Sequence, residues 1–81
     1  MLRVEFVNKL TEYEKMVVTE ELRLTWDYVN KIALRSCLTC EVGDRIVTDF
    51  MDGGDFALHM ELTKNEPEYM EITLLGLEYI L

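Results

Sequence analysis

Apolar and polar residues change their repeat several times along the chain, and each change marks an element. Leu2, Val4 and Phe6 alternate with Arg3 and Glu5, the two-residue repeat of a strand with one buried face, which predicts a strand over residues 2–7. Thr11 followed by Glu14 fits a capping box, and Thr19 followed by Glu20 and Glu21 fits a second helix start with acids well placed for the dipole. One of the two starts the main helix. Leu22, Trp26, Val29, Ile32, Ala33 and Cys37 then share one face at helical spacing, with Tyr28 beside them and Arg23, Asp27, Asn30 and Lys31 opposite. This predicts a helix ending near Ser36. Leu22, Leu24, Trp26 and Tyr28 also alternate with Glu21, Arg23, Thr25 and Asp27 as a strand would, but the helical stripe continues past Tyr28 and the alternation does not.

After Gly43 the repeat becomes that of strands. Residues 45–51 form one, Asp52-Gly53-Gly54 supplies the positive-φ positions of a hairpin turn, and Phe56, Leu58, Met60 and Leu62 alternate with Ala57, His59, Glu61 and Thr63. A second turn falls at Lys64-Asn65-Glu66-Pro67, after which Met70, Ile72 and Leu74 alternate with Glu71 and Thr73. The apolar phase then slips to Leu75, Leu77 and Tyr79, and a slip beside Gly76 is what a β-bulge or bend produces. The expected fold is α+β: a single domain over residues 1–81, order β-α-β-β-β, with one main α-helix packed on a small antiparallel sheet.

Composition agrees with one small core. At 81 residues a domain buries only roughly 60% of its unfolded surface, yet 49% of the residues are hydrophobic, enough for a core without metal or disulfide staples. So much apolar content in so short a chain favours a dimer or a partner-covered patch. The amino-terminal residues mix charges into every apolar stretch, and no run approaches the roughly 18 apolar residues of a membrane span, so no membrane association and a cytoplasmic location are expected. Cys37 and Cys40 are then expected to stay reduced.

Charge narrows the partners. The formal net charge is −8, from 16 acids and 8 bases, which disfavours direct binding to nucleic acid, where affinity comes from Lys and Arg. Residues 1–45 carry eight acids against seven bases, whereas residues 46–81 carry eight acids against Lys64 alone. The acidity belongs to the strand-rich half.

Candidate chemistry is sparse. Cys37-Leu38-Thr39-Cys40 has CxxC spacing, but it falls at the expected helix C-terminus, whose dipole disfavours a thiolate, and with His59 it is one ligand short of a structural zinc site. His59 shares its strand face with no serine or cysteine nucleophile, and the one serine is Ser36. Asp49, Asp52 and Asp55 recur every third residue and do not follow the ligand order of a calcium loop. No cofactor, metal or enzymatic activity is expected.

Strand alternation makes the acids a surface. With Phe56, Leu58, Met60 and Leu62 inward, Asp55, His59 and Glu61 face out, as do Tyr69, Glu71 and Thr73 from the next strand, and Val47, Asp49 and Met51 join them. Asp52 and Asp55 mark one hairpin tip and Glu66 and Glu68 the opposite turn, with Tyr69 and Met51 as anchors. The expected function is a non-enzymatic binding module that docks Asp49, Asp52, Asp55, Glu61, Glu66, Glu68, Tyr69 and Glu71 on a basic protein surface of the kind that grips nucleic acid. Small size and acidity match the general style of phage-encoded inhibitors and nucleic-acid mimics, a likeness of composition alone. Two alternatives belong to other classes: a structural or regulatory homodimer pairing through Leu74, Leu75, Leu77, Tyr79, Ile80 and Leu81 or a strand edge, and a CxxC zinc or redox protein.

Overall fold

Seven elements follow one another in the structure, a computed structural model that describes residues 2–50 and 55–80. They are β1 (Arg3–Asn8), α1 (Glu12–Met16), a π-helical turn (Val17–Glu21), α2 (Trp26–Cys37), β2 (Arg45–Asp49), β3 (Phe56–Glu66) and β4 (Tyr69–Tyr79). The class is α+β, as the repeats predict. Met51, Asp52, Gly53 and Gly54, which include the expected hairpin turn, lie outside the described residues.

The strands form one sheet in the order β1-β4-β3-β2. β2 and β4 flank β3 antiparallel, but β1 runs parallel to β4, so the sheet is mixed and not the expected antiparallel one. The cause lies in the connection: the chain leaves β1 at one edge, crosses one face through the helices and re-enters at the other edge as β2. A crossover of that length is what parallel pairing requires.

The single expected helix is also divided. Thr11 does build its capping box, its hydroxyl accepting from Glu14 N–H at 3.1 Å while Glu14 Oε1 accepts from Thr11 N–H at 2.9 Å, but this box starts only the short α1. Thr19 caps nothing. Its hydroxyl donates to Lys15 O at 3.1 Å from inside the π turn. That turn closes with Leu22 N–H on Val17 O, and Arg23 then sits at φ 55°, a left-handed conformation that ends helical propagation. Residues 23–25 run without regular structure before Thr25 caps α2, accepting from Tyr28 N–H at 3.2 Å. Leu22 and Leu24, whose alternation competes with the helical stripe, pack on the core from this crossing.

The core fills the space between α2 and one sheet face. Val29, Ile32, Ala33 and Cys37 meet Leu58, Met60, Leu62, Met70, Ile72 and Leu74, with Phe50 and Val18 closing the sides. Each fully buried aliphatic side chain here contributes about 1.5–3 kcal/mol.

The slip of apolar phase beside Gly76 is a bulge. His59 pairs with Gly76 but Met60 pairs with Leu74, leaving Leu75 unmatched, and β4 continues to Tyr79. A second irregularity leaves Thr63 unmatched between Leu62 and Lys64. Beyond Leu74, β4 has outrun β1, and α1 takes over that edge: Glu14 Oε2 accepts from Leu77 N–H at 2.7 Å. A Cβ on Gly76 would stand 3.2 Å from that same oxygen, so glycine leaves the carboxylate its place.

Candidate functional site: the open face of the sheet

The strand alternation that sends Ile72 and Leu74 under α2 sends their neighbours to the opposite face, which is mostly polar and carries only Ala57 and Thr73 as buried residues. One cross-strand row there reads Arg45, Glu61, Thr73, Val7 and another reads Lys64, Glu71, Glu5. Glu5 and Glu71 thus stand directly opposite each other on neighbouring strands, an arrangement that repels unless something intervenes.

Tyr69 intervenes. Its hydroxyl reaches Glu5 Oε2 at 3.1 Å and Glu71 Oε1 at 3.4 Å, while Arg3 pairs with Glu5 and lies over the Tyr69 ring at 5.8 Å. Thr63, unmatched at the irregularity in β3, donates to Glu71 Oε2 at 2.8 Å and stands 3.1 Å from the buried hydroxyl of Thr73. The bonds from Arg3 and Tyr69, and the nearby positive charge, hold the Glu5 carboxyl below its ordinary range. Desolvation and the two carboxylates push the Tyr69 phenol up, so it stays protonated and able to donate. The result is a wired polar surface and not a bare acidic one.

The expected site residues fall into two groups. Glu61, Tyr69 and Glu71 are half-buried and engaged, Glu61 with Arg45 at 3.3 Å. Asp49, Asp55, Glu66 and Glu68 are exposed, and their carboxylates have no partner among the described residues. Asp52 lies outside the described residues. Asp49 and Asp55 sit at one end of β3 and Glu66 and Glu68 at the other, roughly 35 Å apart at about 3.3 Å per residue. His59 Nε2 lies 3.6 Å from Glu78 Oε2 between those ends. The structure adds residues that the sequence reading did not attach to this surface, namely Arg3, Glu5 and Arg45, and gives Thr63, already in the outward phase, its bonds to Glu71 and Thr73. Their outward phase was readable, but Arg3 and Glu5 join the site only because β1 pairs with β4.

Other candidates resolve differently. Cys37 is buried, and burial pushes its thiol up to about 11, while Cys40 Sγ donates to Ser36 O at 3.3 Å. Among the described residues no three His, Cys, Asp or Glu side chains converge as a metal site. Of the expected apolar end, Leu74 is core, Leu77 packs on it and Leu75 is half-buried at the bulge, which leaves Tyr79 and Ile80 exposed, with Leu81 outside the described residues. No helix among the described residues is long and apolar enough to cross a membrane. Comparison of the chain with protein-family models, curated proteins and solved structures found no match.

Proposed function

We propose that the protein is a small non-enzymatic binding module, an inhibitor or regulator that lays its open sheet face on a basic surface of a protein partner. The observation that carries this reading is the pair of unpartnered acidic ends, Asp49 with Asp55 and Glu66 with Glu68, flanking a face whose centre is a hydrogen-bonded polar network. Free carboxylates gain from a cationic partner, whereas those already bonded, such as Glu5, would first have to give up a partner. Spacing over the length of β3 suits an extended basic surface, such as a groove that otherwise holds a phosphate backbone, with carboxylates standing in for phosphates. The wired centre keeps the side chains of the face ordered, so little is lost in ordering them on contact.

The test is affinity capture on immobilised protein at low salt, repeated with the triple variant Asp55→Lys, Glu66→Lys, Glu68→Lys. All three sites are exposed, so the variant keeps the fold. The expected result is a basic partner held by the wild type, released by raised salt or by duplex DNA, and missed by the variant. Capture indifferent to both salt and charge reversal would sink the reading. Sedimentation of the protein alone addresses the homodimer: a monomer that pairs only with its basic partner removes that alternative.

A further inference from the structure

Beside the Asp55 end of β3, between the π turn and the end of β4, lies a groove of about 470 Å³, within the roughly 300–1,000 Å³ usual for a ligand site. Val17, Phe56 and Leu77 give it an apolar lining, and Tyr13 and Tyr79 bring rings that are 67% and 56% exposed. Phe56 holds the Tyr79 ring edge-on at 5.2 Å and 67°. Two carboxylates complete the lining and no basic residue does.

The two acids differ. Glu14 is fixed: both oxygens accept backbone N–H groups, from Thr11 and from Leu77, and although burial opposes its charge these bonds hold its carboxyl below the ordinary range. Glu21, at the end of the π turn, is exposed and its carboxylate forms no hydrogen bond or ion pair among the described residues. π-Helical turns are frequent at functional sites, and beyond the capping Leu22 this one leads to the left-handed Arg23. By contrast, the groove between β1 and α2, lined by Phe6, Asp27, Asn30, Lys31 and Leu34, contains a lysine and one acid. Only the first has a one-signed field.

We infer that the groove between the π turn and β4 receives an arginine side chain of a basic protein partner, an inference that rests on the binding function proposed above. An arginine stem matches the apolar lining, its flat guanidinium stacks on tyrosine faces, and its N–H fork suits the unpartnered Glu21 carboxylate. A lysine, a compact and strongly hydrated charge, uses less of this arrangement.

Amide-resolved NMR titration of the protein with the blocked tripeptide Gly-Arg-Gly, and with its neutral isostere carrying citrulline, tests the assignment. Expected are shifts confined to residues 13–21, 56 and 77–79, with apparent affinity about tenfold weaker for citrulline and for the double variant Glu21→Gln, Tyr13→Ala. Both substituted sites are exposed, so the fold is kept. Equal response to the two peptides, or shifts spread alike over Asp49, Asp55 and Glu66, overturns it. The triple lysine variant of the sheet-face acids separates the two readings. If partner capture fails in that variant but survives in the groove variant, the groove is wrong and the sheet face stands. If the peptide still titrates the groove while capture ignores the sheet-face charges, the sheet face is wrong.

Discussion

Ile72 and Glu71 are neighbours on β4 and live in different chemistry. Ile72 is fully buried under α2, where its hold on the fold is apolar area and close packing. Glu71 sits on the open face, tied to Tyr69 and Thr63 by hydrogen bonds that water competes for. The covered face therefore decides whether the sheet exists, and the open face decides what the sheet presents. A surface that contributes little to stability is free to be shaped for contact.

The largest effect that can break this contrast is a cavity on the covered side. Ile72→Ala is expected to lower the unfolding free energy by about 2–5 kcal/mol, read as a shifted urea midpoint with an unchanged slope. A loss under about 1 kcal/mol would mean the two faces share the load. Next comes Glu14→Gln, which leaves one acceptor where two backbone N–H groups need one each, at an expected cost of about 1–2 kcal/mol. Its pH signature follows from the sign: the carboxyl is held below the ordinary carboxylate range of the unfolded chain, so its stabilisation is complete above that range and is lost as pH falls through the lower folded value. Urea midpoints between about pH 6 and pH 3 should fall less steeply in the Gln variant than in the wild type.

A smaller effect tests the cover itself. Thr25→Ala removes the cap of α2 and should cost about 1 kcal/mol, with helical signal lost before strand signal on heating, followed by circular dichroism. Smallest is Tyr69→Phe on the open face, expected to cost roughly 0.5–1 kcal/mol. Its sharper readout is the carboxyl titration of Glu5 by NMR, which should move up toward the ordinary range without returning fully, since Arg3 remains. A Glu5 titration that does not move would show that the phenol is a bystander.

These contrasts also mark where the sequence was readable. The alternation of Phe56 to Leu62 and of Met70 to Leu74 carries its own face assignment, because a strand has only two sides, and the slip beside Gly76 was visible as a broken repeat that became the Leu75 bulge. Thr11 with Glu14 was readable because both halves of a capping box lie within four residues. The cap of α2 was hidden: Thr25 is followed at the third position by Tyr28, which cannot return the bond, while the better-looking Thr19 fell inside a π turn. Pairing between distant strands leaves no local mark either. Nothing in residues 3–8 announces a partner at residues 69–74, so the outward phase of Arg3 and Glu5 could be read but not their meeting with Tyr69 and Glu71. The acidic face was therefore expected to be barer than it is.

The parallel seam between β1 and β4 also orders events in time. On the ribosome β1 emerges before every other element and its partner last, so the first strand must wait with its apolar side unburied while the rest of the domain is made. β2, β3 and β4 are joined by near neighbours in sequence, whereas closing the seam spans nearly the whole domain and carries the larger loop-closure cost. β1 is also what covers β4: without it that strand would show its unpaired N–H and C=O groups to any other strand nearby, an open slot in a three-stranded sheet.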